Sequence, residues 1–347
     1  MNVLFKCLKL GDVMSMGIDY KKEIERLKSS LGVTVVAHFY QRDEVFEMAD
    51  ITGDSLELAR RCKEDENRWV VFCGVGFMGQ SVKIIAPNKR VLMPKIACCS
   101  MARMIDSSYY DDTVEEIVKA GIKRDDILPI TYINSDASIK AKVGKMGGLV
   151  CTSSNAVKII KQGLDSGKKI LFVPDKCLGQ NVANMMGLKS SVVGESTMEE
   201  IKESDIICFN GFCSVHQLFT VDDIKFYRKK YLNIKVAVHP ECDPKVVAEA
   251  DFVGSTSQLI KYVNSLDPIE KVVVGTEYNL VNRMRDKNTF VLSSTKPECP
   301  TMNETTLKDL YLTLKSIEDG EPINEIFVDR EVVDYAKLAL DRMLEIK

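Results

Sequence analysis

One arrangement of residues recurs three times along the chain, and fixed-order recurrence constrains a fold more tightly than any single motif. A β-branched run ends in a polar cluster at VVAHFYQ (Val35–Gln41), LPITYINS (Leu128–Ser135) and KVAVHPEC (Lys235–Cys242). A helix-like stretch and a short strand lead from each into a Ser/Thr/Gly turn: ADITGDS (Ala49–Ser55), LVCTSSNA (Leu149–Ala156) and ADFVGSTS (Ala250–Ser257). A helix, a third apolar strand and a cysteine-bearing loop close each copy, the loops reading ACCSMA, NGFCSVH and PECPTM. From His38 to Ser55 is 17 residues, from Tyr132 to Ser153 is 21, and from His239 to Ser255 is 16; the middle copy is the longer one, with extra residues at GKMGG and MMGLKSSVVGEST.

Strands alternating with helices in each copy predict an α/β fold of three small pseudo-repeated domains, each a parallel sheet between helical layers. The expected division is residues 18–105, 106–217 and 218–300. Residues 301–347 are expected to form a helical segment packing back on the first domain, with helices at Thr305–Ile317 and Val332–Ile346. A further helix, Ile18–Leu31, precedes the first copy and closes on Gly32.

Ligands of open parallel sheets sit beyond the carboxyl ends of the strands, where the polar clusters lie. A Ser/Thr turn opening a helix offers free N–H groups to an anion, although Ser and Thr also serve as simple caps. Three such turns in register point to a shared anionic ligand. Two of the three histidines, His38 and His239, head equivalent positions, and His216 follows a loop cysteine by three residues. Glu241 lies two residues after His239, on the same side of an extended segment, and forms a candidate acid/base pair with it. Tyr40 and Asn134 hold the matching positions in the other copies.

Eleven cysteines, an odd number, contain no CxxC pair, which argues against a disulfide framework, a zinc ribbon or a local cluster motif. Cys99, Cys213 and Cys299 end equivalent copies; three thiolates meeting on one pseudo-threefold axis suit a [4Fe–4S] cluster with one open iron, and the alternative is that they are core filler. Lys+Arg 47 against Asp+Glu 50 leaves a net charge of −3, with no basic block for nucleic acid. MNVLFKCLKLGD has too short an apolar run for a secretory signal, and no stretch has the length of a membrane span, so a cytoplasmic protein is expected.

Taken together, HFYQRDEVFEMADITGDS, TYINSDA, CTSSNAV, NGFCSVH, HPECDP, ADFVGSTSQ, GTEYNL and CPTMNETTL resemble the quinolinate synthase family, from about Asp19 to about Leu314. The resemblance implies three α/β domains about a pseudo-threefold axis and one [4Fe–4S] cluster per chain. It implies condensation of iminoaspartate with dihydroxyacetone phosphate to quinolinate, in NAD biosynthesis, with L-aspartate oxidase or aspartate dehydrogenase as the supplier. Cys99, Cys213 and Cys299 match the family's cluster ligands, with Cys98 adjoining Cys99 as the alternative. His38, Tyr40, Tyr132, Asn134, His239 and Glu241 match its HxY, YxN and HPE segments. Ser55, Ser153, Ser255 and Thr256 match the loops that hold carboxylates and phosphate, with Ser154 the alternative to Ser153. Tyr40, Glu241, His38 and His239 are the residues implied to act in catalysis. Gln80 stands in GVGFMGQS where an acidic residue is found in some members. Two other readings remain at this point: an aconitase-type hydro-lyase, which needs arginines for its tricarboxylate, and a non-catalytic iron–sulfur or phosphosugar sensor, which needs a DNA-reading element.

Overall fold

Asp19 caps the first helix, Tyr20–Leu31, by accepting the Lys22 N–H, and Gly32 ends it at φ +60°, in the left-handed region that favours glycine. In the computed structural model, which describes residues 18–284 and 288–346, three parallel sheets follow. MNVLFKCLKLGD, with Cys7, lies outside the described residues.

The first sheet holds β1 (Val33–His38), β2 (Ile51–Gly53), β3 (Trp69–Cys73) and β4 (Arg90–Leu92) in the order β2-β1-β3-β4. The second holds β5 (Ile127–Tyr132), β6 (Leu149–Cys151), β7 (Lys169–Val173), β8 (Ser190–Val192) and β9 (Ile206–Cys208) in the order β6-β5-β7-β9-β8. The third holds β10 (Lys235–Val238), β11 (Phe252–Val253), β12 (Val272–Gly275) and β13 (Thr289–Val291) in the order β11-β10-β12-β13. The expected α/β class with three parallel-sheet units is therefore what the chain forms. Registers coincide: Ala37 pairs with Cys73, Thr131 with Val173 and Val238 with Gly275. Strands buried on both faces need continuous apolar runs, and every residue of β1 and β5 is buried.

The extra residues of the middle copy have two structural products. MMGLKSSVVGEST supplies β8, an added edge strand beside β9, and leads into the helix Met198–Glu203, so the inner order is undisturbed. The second product is the helix Ala137–Lys145, nine residues long where its counterparts Asp43–Phe46 and Pro244–Ala248 have four and five.

One strand position is solved in two ways. The Val35 and Val236 N–H groups donate to the side chains of Asp50 and Asp251, each at 2.8 Å. The matching residue of β5 is Pro129, which has no N–H to satisfy. Gly148 stands there in place of the aspartate, and a Cβ on it would lie 2.1 Å from the Pro129 carbonyl oxygen.

Of the two C-terminal helices, Leu307–Glu318 lies on the first unit, its Leu310 and Leu314 in a core with Ile24, Leu27 and Val35. Arg330–Glu345 touches the first unit at Gly76–Ile85 but lies mainly on the second. It packs on Ala137–Lys145, where Gly144 admits the Tyr335 backbone: a Cβ would sit 2.0 Å from that carbonyl oxygen. Lys145 pairs with Glu331 at 2.8 Å, and Arg342 donates to the Gly148 carbonyl at 2.8 Å. The segment expected to pack back on the first domain thus divides its contacts, and the lengthened helix of the second unit provides the larger docking face for its last helix. Among the described residues no helix is long and apolar enough to cross a membrane.

Candidate active site

The carboxyl ends of β1, β5 and β10 open on one cavity of about 70 Å³. His38 and Tyr40, Tyr132 and Asn134, and His239 and Glu241 all line it. Ser55, Ser153 and Thr256 reach it from the helix-opening turns, and Cys99, Cys213 and Cys299 from the closing loops. Ser255 does not line it. Its hydroxyl accepts the Gln258 N–H while its own N–H donates to Gln258 Oε1, so this serine is the cap of the helix Thr256–Ser265. Its neighbour Thr256 presents the hydroxyl to the site.

The two strand-end imidazoles are set alike by the backbone. Tyr40 N–H donates to His38 Nδ1 at 3.1 Å and Glu241 N–H to His239 Nδ1 at 3.3 Å. An Nδ1 that accepts places the proton of the neutral ring on Nε2. Burial pulls His38 down to about 4 and His239 to about 3, so both are neutral near pH 7. They are donors through Nε2–H, and His239 Nε2 lies 3.3 Å from the Ser153 hydroxyl.

Glu241 is the charged centre. Burial alone would raise its pKa, but His216 and His239 beside it and the Tyr132 hydroxyl outweigh that and hold the carboxyl down to about 2. Tyr132 donates to Glu241 Oε1 at 2.6 Å. His216 Nδ1 lies 3.1 Å from Glu241 Oε2 without the alignment of a hydrogen bond, and its ring stacks on His239 at 4.7 Å. His216 Nε2 is 3.2 Å from the Thr276 hydroxyl, which is 2.9 Å from the Tyr40 hydroxyl, itself 3.1 Å from Thr256. A polar chain thus runs from Tyr132 through Glu241, His216 and Thr276 to Tyr40. Burial raises both tyrosines well above 10, keeping the hydroxyls protonated.

No lysine or arginine lines the cavity among the described residues. Anion binding there falls to N–H and O–H donors. Asp54 caps the helix Ser55–Glu64 and accepts the Ser257 hydroxyl at 2.6 Å, which ties the first turn to the third. In the second turn the Thr152 and Ser154 hydroxyls are 2.8 Å apart, while Ser153 is the one beside His239.

Among the described cysteines, Cys99, Cys213 and Cys299 are half-buried and Cys98 is exposed; the remaining ones are buried. Nearby backbone N–H groups, of Ala102 and Met101 at Cys99, His216 at Cys213, and Met302 and Thr301 at Cys299, favour the thiolate forms. Burial pushes Cys99 up to about 12 and Cys213 well above 9, and charge on any one of the three bears on the others. Three thiols lining one cavity, each with backbone N–H groups that favour the thiolate, fit an iron–sulfur cluster. Cys213 Sγ, a His216 ring nitrogen and a Glu241 oxygen also lie within 4.8 Å of one another.

Thr276 and Glu277 belong to the site without standing in the strand-end or turn clusters; Glu277, two residues past Gly275, matches Asp175, two past Val173, and each carboxylate caps the helix that follows. Glu277 lines the cavity and accepts the N–H of Cys299 at 3.3 Å and of Asn279 at 2.8 Å. Their signal in the sequence is the place of GTEYNL directly after a third strand, where the second copy reads VPDK with its own acidic residue. Gln80, in place of an acidic residue, donates to Asp136 Oδ2 at 2.8 Å and accepts the Ala137 N–H at 3.1 Å.

Residues 22–345 match the family model described as quinolinate synthetase A protein. A quinolinate synthase of Helicobacter pylori (strain HPAG1) is 55% identical over 332 residues, covering 94% of this chain and 98% of that protein. Quinolinate synthases of Streptomyces coelicolor (41% identical; 91% of this chain, 86% of that one) and Bacillus anthracis (39%; 94% and 93%) are also similar. With the match running through all three sheets and every strand-end motif, the chain belongs to the quinolinate synthase family.

Proposed function

We propose that this cavity condenses iminoaspartate with dihydroxyacetone phosphate to quinolinate, with loss of phosphate and water. The family makes the chain an enzyme of NAD biosynthesis. The observation that carries the substrate assignment is a cavity with three helix-opening turns, two Nε2–H donors and, among the described residues, no lysine or arginine around an ionised Glu241. Two carboxylates and a phosphate are then bound by neutral donors on separate sides. The family, and a lining without arginine among the described residues, favour this reading over the aconitase-type one, and the family favours it over the sensor.

Cys99, Cys213 and Cys299 would hold one [4Fe–4S] cluster, which when bound supplies Lewis acidity toward a departing hydroxyl. The remaining chemistry falls to side chains. Glu241, ionised, accepts a proton, and Tyr132 donates to the carboxylate and steadies that charge. Tyr40, tied to Thr256 and Thr276, donates through its hydroxyl, and Asn134 supplies a further amide to the same face. His38 and His239 orient substrate oxygens through Nε2–H rather than acting as acids. Exclusion of water on substrate binding would protect the imine, which hydrolyses readily. Iminoaspartate would come from an enzyme oxidising aspartate, an oxidase or a dehydrogenase.

The test is quinolinate formation by anaerobically purified, iron-loaded protein supplied with dihydroxyacetone phosphate and iminoaspartate generated in the same vessel. Iron-replete protein that turns over neither substrate would overturn the assignment.

A further inference from the structure

The two backbone carbonyls that flank each strand-end site residue are bridged by a single side chain, in all three units. Around Tyr40, Arg283 donates to the carbonyls of Phe39 and of Gln41 (3.0 Å), pairs with Asp43 at 2.7 Å and lies over the Phe46 ring at 4.2 Å. Around Asn134, the Lys140 ammonium donates to the carbonyls of Ile133 (2.8 Å) and Ser135. Around Glu241, Asn181 Nδ2 donates to the carbonyls of Pro240 and Cys242, both at 2.8 Å. None of the three bridging side chains lines the cavity.

The strand registers show that this is one device. Cys73, Val173 and Gly275 are equivalent, and eight residues after each stand Ser81, Asn181 and Arg283. Asn181 reaches from the second unit to the third, and Arg283 from the third to the first. Ser81 is too short to reach from the first to the second, and its hydroxyl turns back to the Phe77 carbonyl at 2.7 Å. Lys140, from the second unit's own lengthened helix, bridges the same pair of carbonyls instead. Two of these side chains sit in the interior at evident cost: Lys140 is fully buried, and Asn181 Oδ1 is buried with no partner.

We propose that Arg283, Lys140 and Asn181 are positioning residues, each fixing the backbone on both sides of one site residue so that its side chain stays aimed into the cavity. The proposal rests on the roles given above to Tyr40, Asn134 and Glu241. Carbonyls one residue apart on either side of a position cannot both keep one partner if that position rotates. A bridge across them therefore sets the direction of the side chain between. Two N–H bonds suffice, so Lys140 performs this as ammonium or as amine.

The test uses the full chain purified anaerobically, with Arg283→Met, Lys140→Met and Asn181→Leu, each read by steady-state kinetics and by amide hydrogen exchange. Exchange is expected to quicken in residues 38–43 for the first variant, 132–136 for the second and 239–243 for the third, with the other two loops unchanged. The expected kinetic effect is a fall in kcat of about 10–100-fold with KM within about threefold, and Arg283→Lys should restore most of it, because Lys140 shows an ammonium making the same bridge. Each variant should be non-additive with truncation of its own partner only: Asn181→Leu should cost little on top of Glu241→Gln, yet multiply with Tyr40→Phe. Exchange rising equally in all three loops, or losses that multiply in every pairing, would show plain structural residues and overturn the proposal. If the wild-type chain made no quinolinate, the functional assignment would fall while the exchange pattern still decided whether the bridges exist.

Discussion

The Tyr132 hydroxyl and the Glu241 carboxylate, from two different sheets, meet at 2.6 Å inside the cavity. A phenol donating to an ionised, buried carboxylate makes a charge-assisted bond, shorter and stronger than a neutral one. Glu241→Gln keeps the shape and removes the base, and is expected to lower kcat by roughly 10²–10⁴-fold. Tyr132→Phe should lose less, on the order of tenfold to a hundredfold. Initial rates on protein matched for iron content check both; rates within a few-fold of wild type would mean that Glu241 only lines the pocket.

Iron content should separate the three half-buried cysteines from the rest. Serine at Cys99, Cys213 or Cys299 is expected to strip or deplete the cluster, since a hydroxyl is a poor ligand for so soft a site. Alanine at Cys62, Cys73, Cys151 or Cys208 should leave it in place; these thiols are fully buried, and alanine avoids the stranded hydroxyl that serine would bring. Cys98→Ser is the register control, because its side chain is exposed. Iron and sulfide analysis with the visible spectrum gives the answer, and depletion by Cys98→Ser instead of Cys99→Ser would shift the ligand by one.

Ser255 and Thr256 are adjacent, yet different measurements should respond to them. Ser255→Ala removes the cap of the helix Thr256–Ser265 and should cost about 1 kcal/mol of stability with little change in KM. Thr256→Val removes a hydroxyl that lines the cavity and holds the Tyr40 hydroxyl at 3.1 Å. It should raise KM or lower kcat by about tenfold at nearly unchanged Tm. Thermal melts and kinetics on the pair read the two effects, and a reversed pattern would refute the division.

Acid should weaken the fold through two histidines. His38 at about 4 and His239 at about 3 lie below the value near 6.5 that they take in the unfolded chain. The unfolded chain therefore binds more protons between these limits, and stability falls as pH drops. The stabilisation is complete above about pH 6.5 and is lost progressively toward pH 4 and below, on the order of 3 kcal/mol for His38. Urea midpoints at pH 7.5 and pH 5 measure it. His38→Asn, which keeps an acceptor for the Tyr40 N–H, should flatten the dependence; an unchanged slope would contradict the neutral, buried ring.

The parts legible in the sequence are those that repeat or that follow local rules. Fully buried parallel strands are continuous apolar runs, and their polar ends fall at strand termini, so His38, Tyr40, Tyr132, Asn134, His239 and Glu241 stand out by their positions in the chain. Anion turns and caps share one sequence signature, and for that reason Ser255 and Thr256 read alike although one faces its own helix. Thr276 is an ordinary threonine until His216 and Tyr40 are brought to it from other parts of the chain. The docking of Arg330–Glu345 depends on a single missing side chain at Gly144, which leaves no periodic pattern to read.

Pro129 and Gly148 make the second unit a one-way departure from its sisters. Restoring valine at 129 alone would create a buried N–H with no acceptor, a cost of roughly 1–3 kcal/mol. Restoring aspartate at 148 alone would drive its Cβ to 2.1 Å from the Pro129 carbonyl oxygen. That contact is with backbone and stays whatever side chain stands at 129, so substitutions here lead this unit back to the pattern of the other two only if the strand itself shifts. The three modules are not interchangeable parts. A chain assembled from three copies of the first or third would be compatible at this position, whereas a graft that mixed one strand of the second with the turn of another would carry either an unpaired donor or a collision.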